Sequence, residues 1–215
     1  MNVPLLHVIV TDEVAEAPAF LADAGNLIAA GRDRIAIHLR LRRTDGRDLH
    51  GLAVRLGSAA ADSGAWCVIN DRVDVALTSG AQAVQLGGGS LPVDAVRGLR
   101  DGRFAIGASV HSAGEARRKA SAGADFLVAG SVFSTATHPG RAPAGTALVT
   151  SCLEAGVPVV GIGGIDSTNA RQVLKAGATG IAVIRAVWQA ANPVGEALNL
   201  IELCAQQEGE GGCFA

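Results

Sequence analysis

Gly163 and Gly164 interrupt a β-branched apolar run, Val159–Ile165, and a second such run, Gly180–Ile184, follows after a helical pattern. Runs of this kind read as buried parallel strands. Glycines just beyond a strand let backbone N–H groups approach an anion closely. Two consecutive strand–helix units late in a chain match strands 7 and 8 of a (β/α)8 barrel, where a phosphate commonly sits. The expected ligand is therefore a small phosphorylated molecule. A tight turn alone would also account for the glycine pair.

Other chemistry-bearing residues fall at the ends of apolar runs. His38, Arg40 and Arg42 alternate along one face and point inward at a barrel mouth, where an arginine is costly unless it meets an anion. The competing reading makes Arg42 and Arg43 solvated loop residues. Asn70 offers both a donor and an acceptor. The adjacent Asp71 either faces the site or caps the next helix. Ser109 and His111 end the fifth run, and a structural hydrogen bond is as natural for His111 as catalysis. Gln85-Leu86 leads into Gly87-Gly88-Gly89-Ser90, a loop without a carboxylate. The longest polar loop, Gly130–Gly140, is the natural lid.

These residues need a scaffold to bring them together. Apolar runs recur at Leu5–Val10, Arg34–Leu39, Trp66–Ile69, Ala83–Leu86, Phe104–Ser109, Phe126–Ala129, Val157–Ile162 and Gly180–Ile184. Helical patterns lie between them at Ala15–Ala30, Leu49–Ala61, Asp71–Thr78, Pro92–Arg100, Ser112–Ala122, Thr146–Ala155, Ser167–Ala176 and Ala186–Gln206. Strict alternation implies a parallel sheet with helical crossovers. The fold class expected is α/β, a single (β/α)8 TIM barrel over residues 1–206, with 207–215 as a flexible tail. Glycines in Ser79-Gly80-Ala81, Ala122-Gly123-Ala124 and Ala176-Gly177-Ala178 each end a helix before a strand. At 215 residues the chain is short for such a barrel, so its loops must be brief.

Composition narrows the partners. The net charge is −2 with no basic run, which does not indicate a nucleic-acid surface. No apolar stretch is long enough for a membrane span. The opening Met1-Asn2-Val3-Pro4-Leu5 has no signal-peptide character, and Cys67, Cys152, Cys204 and Cys213 show no CxxC spacing. Free thiols and a cytoplasmic location are the expectation. A homo-oligomer is left open.

With Ile69–Leu77, Gly107–Ser112, Val132–Thr137 and Gly161–Ile165 assembled, the chain resembles the thiamin phosphate synthase/thiazole tautomerase superfamily from about residue 5 to 190. The resemblance implies a thiazole phosphate bound at strands 6 to 8, with Gly163, Gly164, Ile184 and Arg185 on the phosphate. Thr135 and Thr137 would line the loop, and Arg40 and Arg42 would pair with a carboxylate. Synthases of this superfamily join a hydroxymethylpyrimidine diphosphate to the thiazole phosphate with Mg²⁺ and release diphosphate. Tautomerases move a proton on a thiazole carboxylate phosphate without metal. His38-Leu39-Arg40-Leu41-Arg42 looks like the tautomerase pattern, and Gly89-Ser90 stands where a synthase has an acidic pair. Ser131 replaces the tautomerase histidine, so His138, with His111 second, is the expected base. Tautomerase-like proton transfer is the primary expectation and no cofactor is expected. The alternatives are the Mg²⁺-dependent synthase and a catalytically silent phosphate-ligand binder.

Overall fold

The computed structural model describes residues 2–99, 104–135 and 142–211, with side chains to residue 207. Eight parallel strands close into a barrel in the order β1 to β8. They are β1 Leu6–Val10, β2 Ile35–Leu39, β3 Trp66–Asn70, β4 Ala83–Leu86, β5 Ala105–Val110, β6 Phe126–Gly130, β7 Val159–Ile162 and β8 Gly180–Val183. Pairing of Leu6 with Ile181 seals the barrel between its first and last strands. Each strand lies within a residue or two of its expected position. The β-branched runs are buried on both faces, as a barrel wall requires.

The strands build two cores. Outward residues such as Leu6, Val8, Ile37 and Leu39 pack under the helices, while Ile9, Val68, Phe126, Val128 and Val160 fill the barrel interior. At Gly107 an added Cβ would collide with the Phe126 ring and the Gln85 side chain. A side chain there would leave no room for either group.

The helices are α1 Asp12–Ala15, α2 Phe20–Gly31, α3 Gly46–Ser63, α4 Val73–Ser79, α5 Val93–Leu99, α6 Ala113–Ser121, α7 Thr146–Cys152, α8 Ala170–Lys175, α9 Arg185–Trp188 and α10 Pro193–Gly211. Two expected helices differ from the pattern. The one at Ala15–Ala30 starts only at Phe20 as α2, because the ring and missing N–H of Pro18 interrupt a helix, and the one-turn α1 lies ahead of it. Ala186–Gln206 splits before Pro193, which opens α10 because proline suits a first turn. The terminal helix then continues to Gly211, past the expected boundary at residue 206.

Caps fix the starts of the longer helices. The Asp45 carboxylate accepts from the Arg47 and Asp48 N–H groups and begins α3 earlier than the apolar pattern does. Ser112 Oγ accepts from Glu115 N–H as expected, while the Glu115 carboxylate accepts from His111 N–H at 2.8 Å, one residue before the cap. Gly80, Gly123 and Gly177 all take positive φ, which carries each chain turn into the next strand. Cys67 and Cys152 are buried free thiols, and burial pushes the Cys67 thiol up to about 12. No helix among the described residues is long and apolar enough to cross a membrane.

Candidate active site

A cavity of about 660 Å³ opens at the C-terminal ends of the strands. Of the residues expected at the site, His38, Arg40, Arg42, Asn70, Ser109, His111, Ser131, Thr135, Gly163, Gly164, Ile184 and Arg185 all line it. Thr137 and His138 lie outside the described residues, so the leading base candidate has no described position.

The β7 end is shaped by the absence of side chains. Gly163 has φ 109° and Gly164 φ 64°, both unfavourable for L side chains. A Cβ on Gly163 would come within 2.7 Å of Ser131 Cβ, and one on Gly164 would collide with the Ser134 carbonyl oxygen. The two loops are therefore knit closely: Val132 N–H donates to Ile162 O at 2.8 Å and Phe133 N–H to Gly163 O at 2.9 Å. These contacts show that the turn has a packing role. Neither the Gly163 nor the Gly164 N–H donates to a described residue. Both amides thus remain available to a ligand. Arg185 lies across the same end and forms no ion pair with a described residue. The indole N–H of Trp188 donates to Ile9 O at 2.9 Å, tying α9 to β1 beneath it.

The β2 end gathers positive charge. Arg40 is half-buried; burial first, then the neighbouring Arg42 charge, pull its pKa below the ordinary arginine value, and Asp71 and Asp12 oppose this. A guanidinium under that pressure gains from any anion that enters. Asp12, which the sequence reading did not single out, holds this loop in place. Its carboxylate accepts from the Arg42 and Arg43 N–H groups at 3.0 Å each and from Thr44 Oγ at 3.2 Å. Burial opposes its ionisation, yet these hydrogen bonds hold its pKa below the usual carboxylate value. An aspartate two residues beyond an apolar run, at the end where a barrel places its site, was the available signal.

Asp71 does not cap the following helix. The N-cap position of α4 is Arg72, without a side-chain cap bond. Asp71 takes φ 64° and turns its Oδ1 toward the next loop, accepting from Gly87 N–H at 3.0 Å and from Ser90 Oγ. An aspartate tolerates this left-handed backbone better than most residues. Among the described residues no three metal-ligating side chains cluster.

The floor is a row of polar side chains on β1 to β5. His7 Nδ1 and His38 Nε2 lie 2.7 Å apart, His7 Nε2 meets Pro4 O at 3.0 Å, and His38 Nδ1 lies 3.3 Å from Asn70 Oδ1. Gln85 Nε2 donates to Ser109 Oγ at 3.0 Å. Burial lowers the His7 pKa to about 4; burial and then the His7 neighbour push His38 well below its ordinary value. His38 thus lines the cavity as a buried ring with both nitrogens facing neighbours. His7 was missed, although Leu6–Val10 alternates with His7 and Ile9 facing inward. His111 differs from both: it is exposed, and its Nδ1 bonds the Gly130 carbonyl oxygen. A carbonyl accepts only, so Nδ1 carries the proton and Nε2 of the neutral ring carries a lone pair.

Similarity now joins the geometry. The family model described as thiamine monophosphate synthase matches residues 7–187. The chain belongs to that family. A thiamine-phosphate synthase of Methanoculleus marisnigri is 38% identical over 205 residues, covering 94% of this chain and 97% of that protein. One from Coprothermobacter proteolyticus is 36% identical over 199 residues, covering 92% of this chain and 93% of that protein. The solved structure of thiamine phosphate pyrophosphorylase from Pyrococcus furiosus superposes with a TM-score of 0.81 at 32% identity, covering 94% of this chain and 96% of that one. These findings place the chain among the enzymes of thiamin biosynthesis, and the relatives named here carry the synthase name.

Proposed function

We propose that this protein joins a hydroxymethylpyrimidine diphosphate to a thiazole phosphate and releases diphosphate. The observation that carries the reading is one cavity with an anion-accepting end on each side. Arg40 and Arg42 stand at the β2 end, and the Gly163–Gly164 amides with Arg185 at the β7–β8 end. Two phosphorylated substrates can then lie with their reacting atoms over the shared floor. The carbon–oxygen bond to diphosphate breaks as the thiazole nitrogen bonds the pyrimidine methylene carbon. Arg40 and Arg42 receive the charge that develops on the leaving diphosphate, which is where a fixed cation accelerates the step. The apolar floor groups Ile9, Val128, Ile162 and Ala182 keep water from competing for the carbon.

Synthase chemistry in this superfamily uses Mg²⁺. Such an ion is usually held by one or two carboxylates together with substrate phosphates. Asp71 supplies the lower number, and its Oδ2 accepts no bond from a described residue. The donor set therefore fits an ion that arrives on the diphosphate and is held by Asp71. When bound it would neutralise diphosphate charge, a task that Arg40 and Arg42 share.

A specific observation favours a second reading, proton transfer on a thiazole carboxylate phosphate. The His111 Nε2 lone pair at the cavity rim would be the base, in place of the histidine absent at Ser131. One experiment separates the two. The purified protein is given both coupling substrates, with Mg²⁺ or with a chelator, and in parallel the thiazole carboxylate isomer. Coupled product supports the first reading, and isomerisation without coupling supports the second. Ligand binding with neither reaction would leave a silent phosphate binder.

A further inference from the structure

The barrel interior below the cavity contains a chain of hydrogen bonds that reaches from the N-terminal segment to the cavity floor. It starts at the Pro4 carbonyl oxygen, which can only accept. His7 Nε2 must therefore carry a proton. Both rings are buried, at 0% and 1% exposure, and no carboxylate bonds either ring among the described residues. A charged imidazole has no compensation there, so each ring is neutral with one N–H. His7 Nδ1 is then a lone pair, and it accepts from His38 Nε2–H at 2.7 Å. His38 Nδ1 is a lone pair in turn. The neighbouring atom at 3.3 Å is placed as Asn70 Oδ1, and two acceptors cannot bond; an amide's oxygen and nitrogen occupy nearly equivalent positions, so hydrogen-bond logic exchanges them here. Only the amide NH₂ can donate to that lone pair.

We propose that His7 is a positioning residue: through His38 it turns the Asn70 NH₂ group down into the barrel and presents the Asn70 carbonyl oxygen to the ligand. The cavity floor then offers an acceptor. It favours a ligand group that donates, such as the amino group of a nitrogen heterocycle, and disfavours a phosphate oxygen at this point. The anions are left to the arginine and glycine ends. The relay is set by a backbone carbonyl at the N-terminal side of β1, on the far side of the barrel from the strand ends that form the site. A substitution at His7 therefore acts on a ligand that it never touches.

The proton positions are tested on the full, ligand-free chain, independently of the coupling reaction on which only the identity of the heterocycle rests. With ¹⁵N-labelled histidine, two-bond ¹H–¹⁵N correlation at neutral pH should show His7 and His38 both protonated at Nε2 and bare at Nδ1. A proton on His38 Nδ1, or a doubly protonated ring, overturns the proposal. The functional arm uses a graded pair. His7→Phe keeps an aromatic ring but removes the acceptor, so it should raise KM for the pyrimidine diphosphate about tenfold and leave KM for the thiazole phosphate unchanged. His7→Gln restores one acceptor and one donor, and should recover most of that loss. Equal changes in both KM values, or no rescue by glutamine, would reduce His7 to a packing residue. Should neither variant fold, or should the wild type not couple the substrates, the NMR result on the wild type still decides the proton positions.

Discussion

The two sides of the barrel mouth are built in opposite ways. On β1 to β5 the interior carries His7, His38, Asn70, Gln85 and Ser109, with Arg40 and Arg42 above them. On β6 to β8 it carries Phe126, Val128, Val160, Ile162 and Ala182, and the rim is built from Gly130, Gly163 and Gly164. The first half presents side chains whose protons and charges are set by neighbours. The second presents backbone, made accessible because side chains are missing. Side-chain recognition can be tuned by conservative substitution. Backbone recognition fails as soon as a Cβ intrudes.

The sharpest way to break this comparison is at Gly164. Gly164→Val places a branched side chain at φ 64° and against the Ser134 carbonyl oxygen. We expect a stability loss of about 3 kcal/mol or more in urea titration, and loss of thiazole phosphate binding in the fraction that folds. A variant that folds and binds normally would show that the glycine rim is not the phosphate end.

The polar half should declare itself through pH. His7 holds a pKa of about 4 against 6.5 unfolded, and His38 is lowered too. Between those values the unfolded chain binds more protons than the folded one, so acid favours unfolding. Stability is complete above pH 6.5 and falls as pH drops toward 4, by about 3 kcal/mol for His7 alone. Thermal melts across that window should show the fall, and His7→Phe should flatten it. A wild-type profile that is already flat would mean that the pair is not buried and neutral.

A third effect is smaller and lies above the floor. Arg40→Ala should lower kcat/KM for coupling by about a hundredfold, the scale of one lost charge-assisted hydrogen bond. Arg40→Lys should recover part of it, since an ammonium keeps the charge without the planar fork. The thiazole phosphate KM should stay near its wild-type value, because that ligand belongs to the other half. Smallest of the four, Asp12→Ala releases the Arg42 and Arg43 amides. It should cost about 1–2 kcal/mol of stability and raise the diphosphate KM severalfold. If Asp12→Ala matched Arg40→Ala in kcat/KM, the β2 loop rather than its guanidinium would be the essential element.

How much of this was legible beforehand follows from the range of the interactions. Period-2 and period-3.6 patterns are local, so the eight strands, their alternation with helices and the closure into a barrel could be read from composition and spacing. Two helix breaks, at Pro18 and before Pro193, were not anticipated, because the apolar patterns on either side of each proline read as continuous. Gly163, Gly164, Arg40 and Arg42 could be nominated because a barrel presents its strand ends at one face. The sequence by itself thus determined the wall, the side on which the site lies and the polarity of its lining.

Only the tertiary structure decided which of those residues are free and which are spoken for. Asp71 turned from a possible helix cap into a tie between two loops, because Gly87 and Ser90 come from the next strand end. His38 gained a buried partner, because pairing of β1 with β2 brings His7 against it from the neighbouring strand. His7 itself carried no sign of function in a five-residue apolar run. A hydrogen-bond partner far away in sequence leaves no trace in local pattern, and burial shifts a proton only once the surrounding strands exclude water.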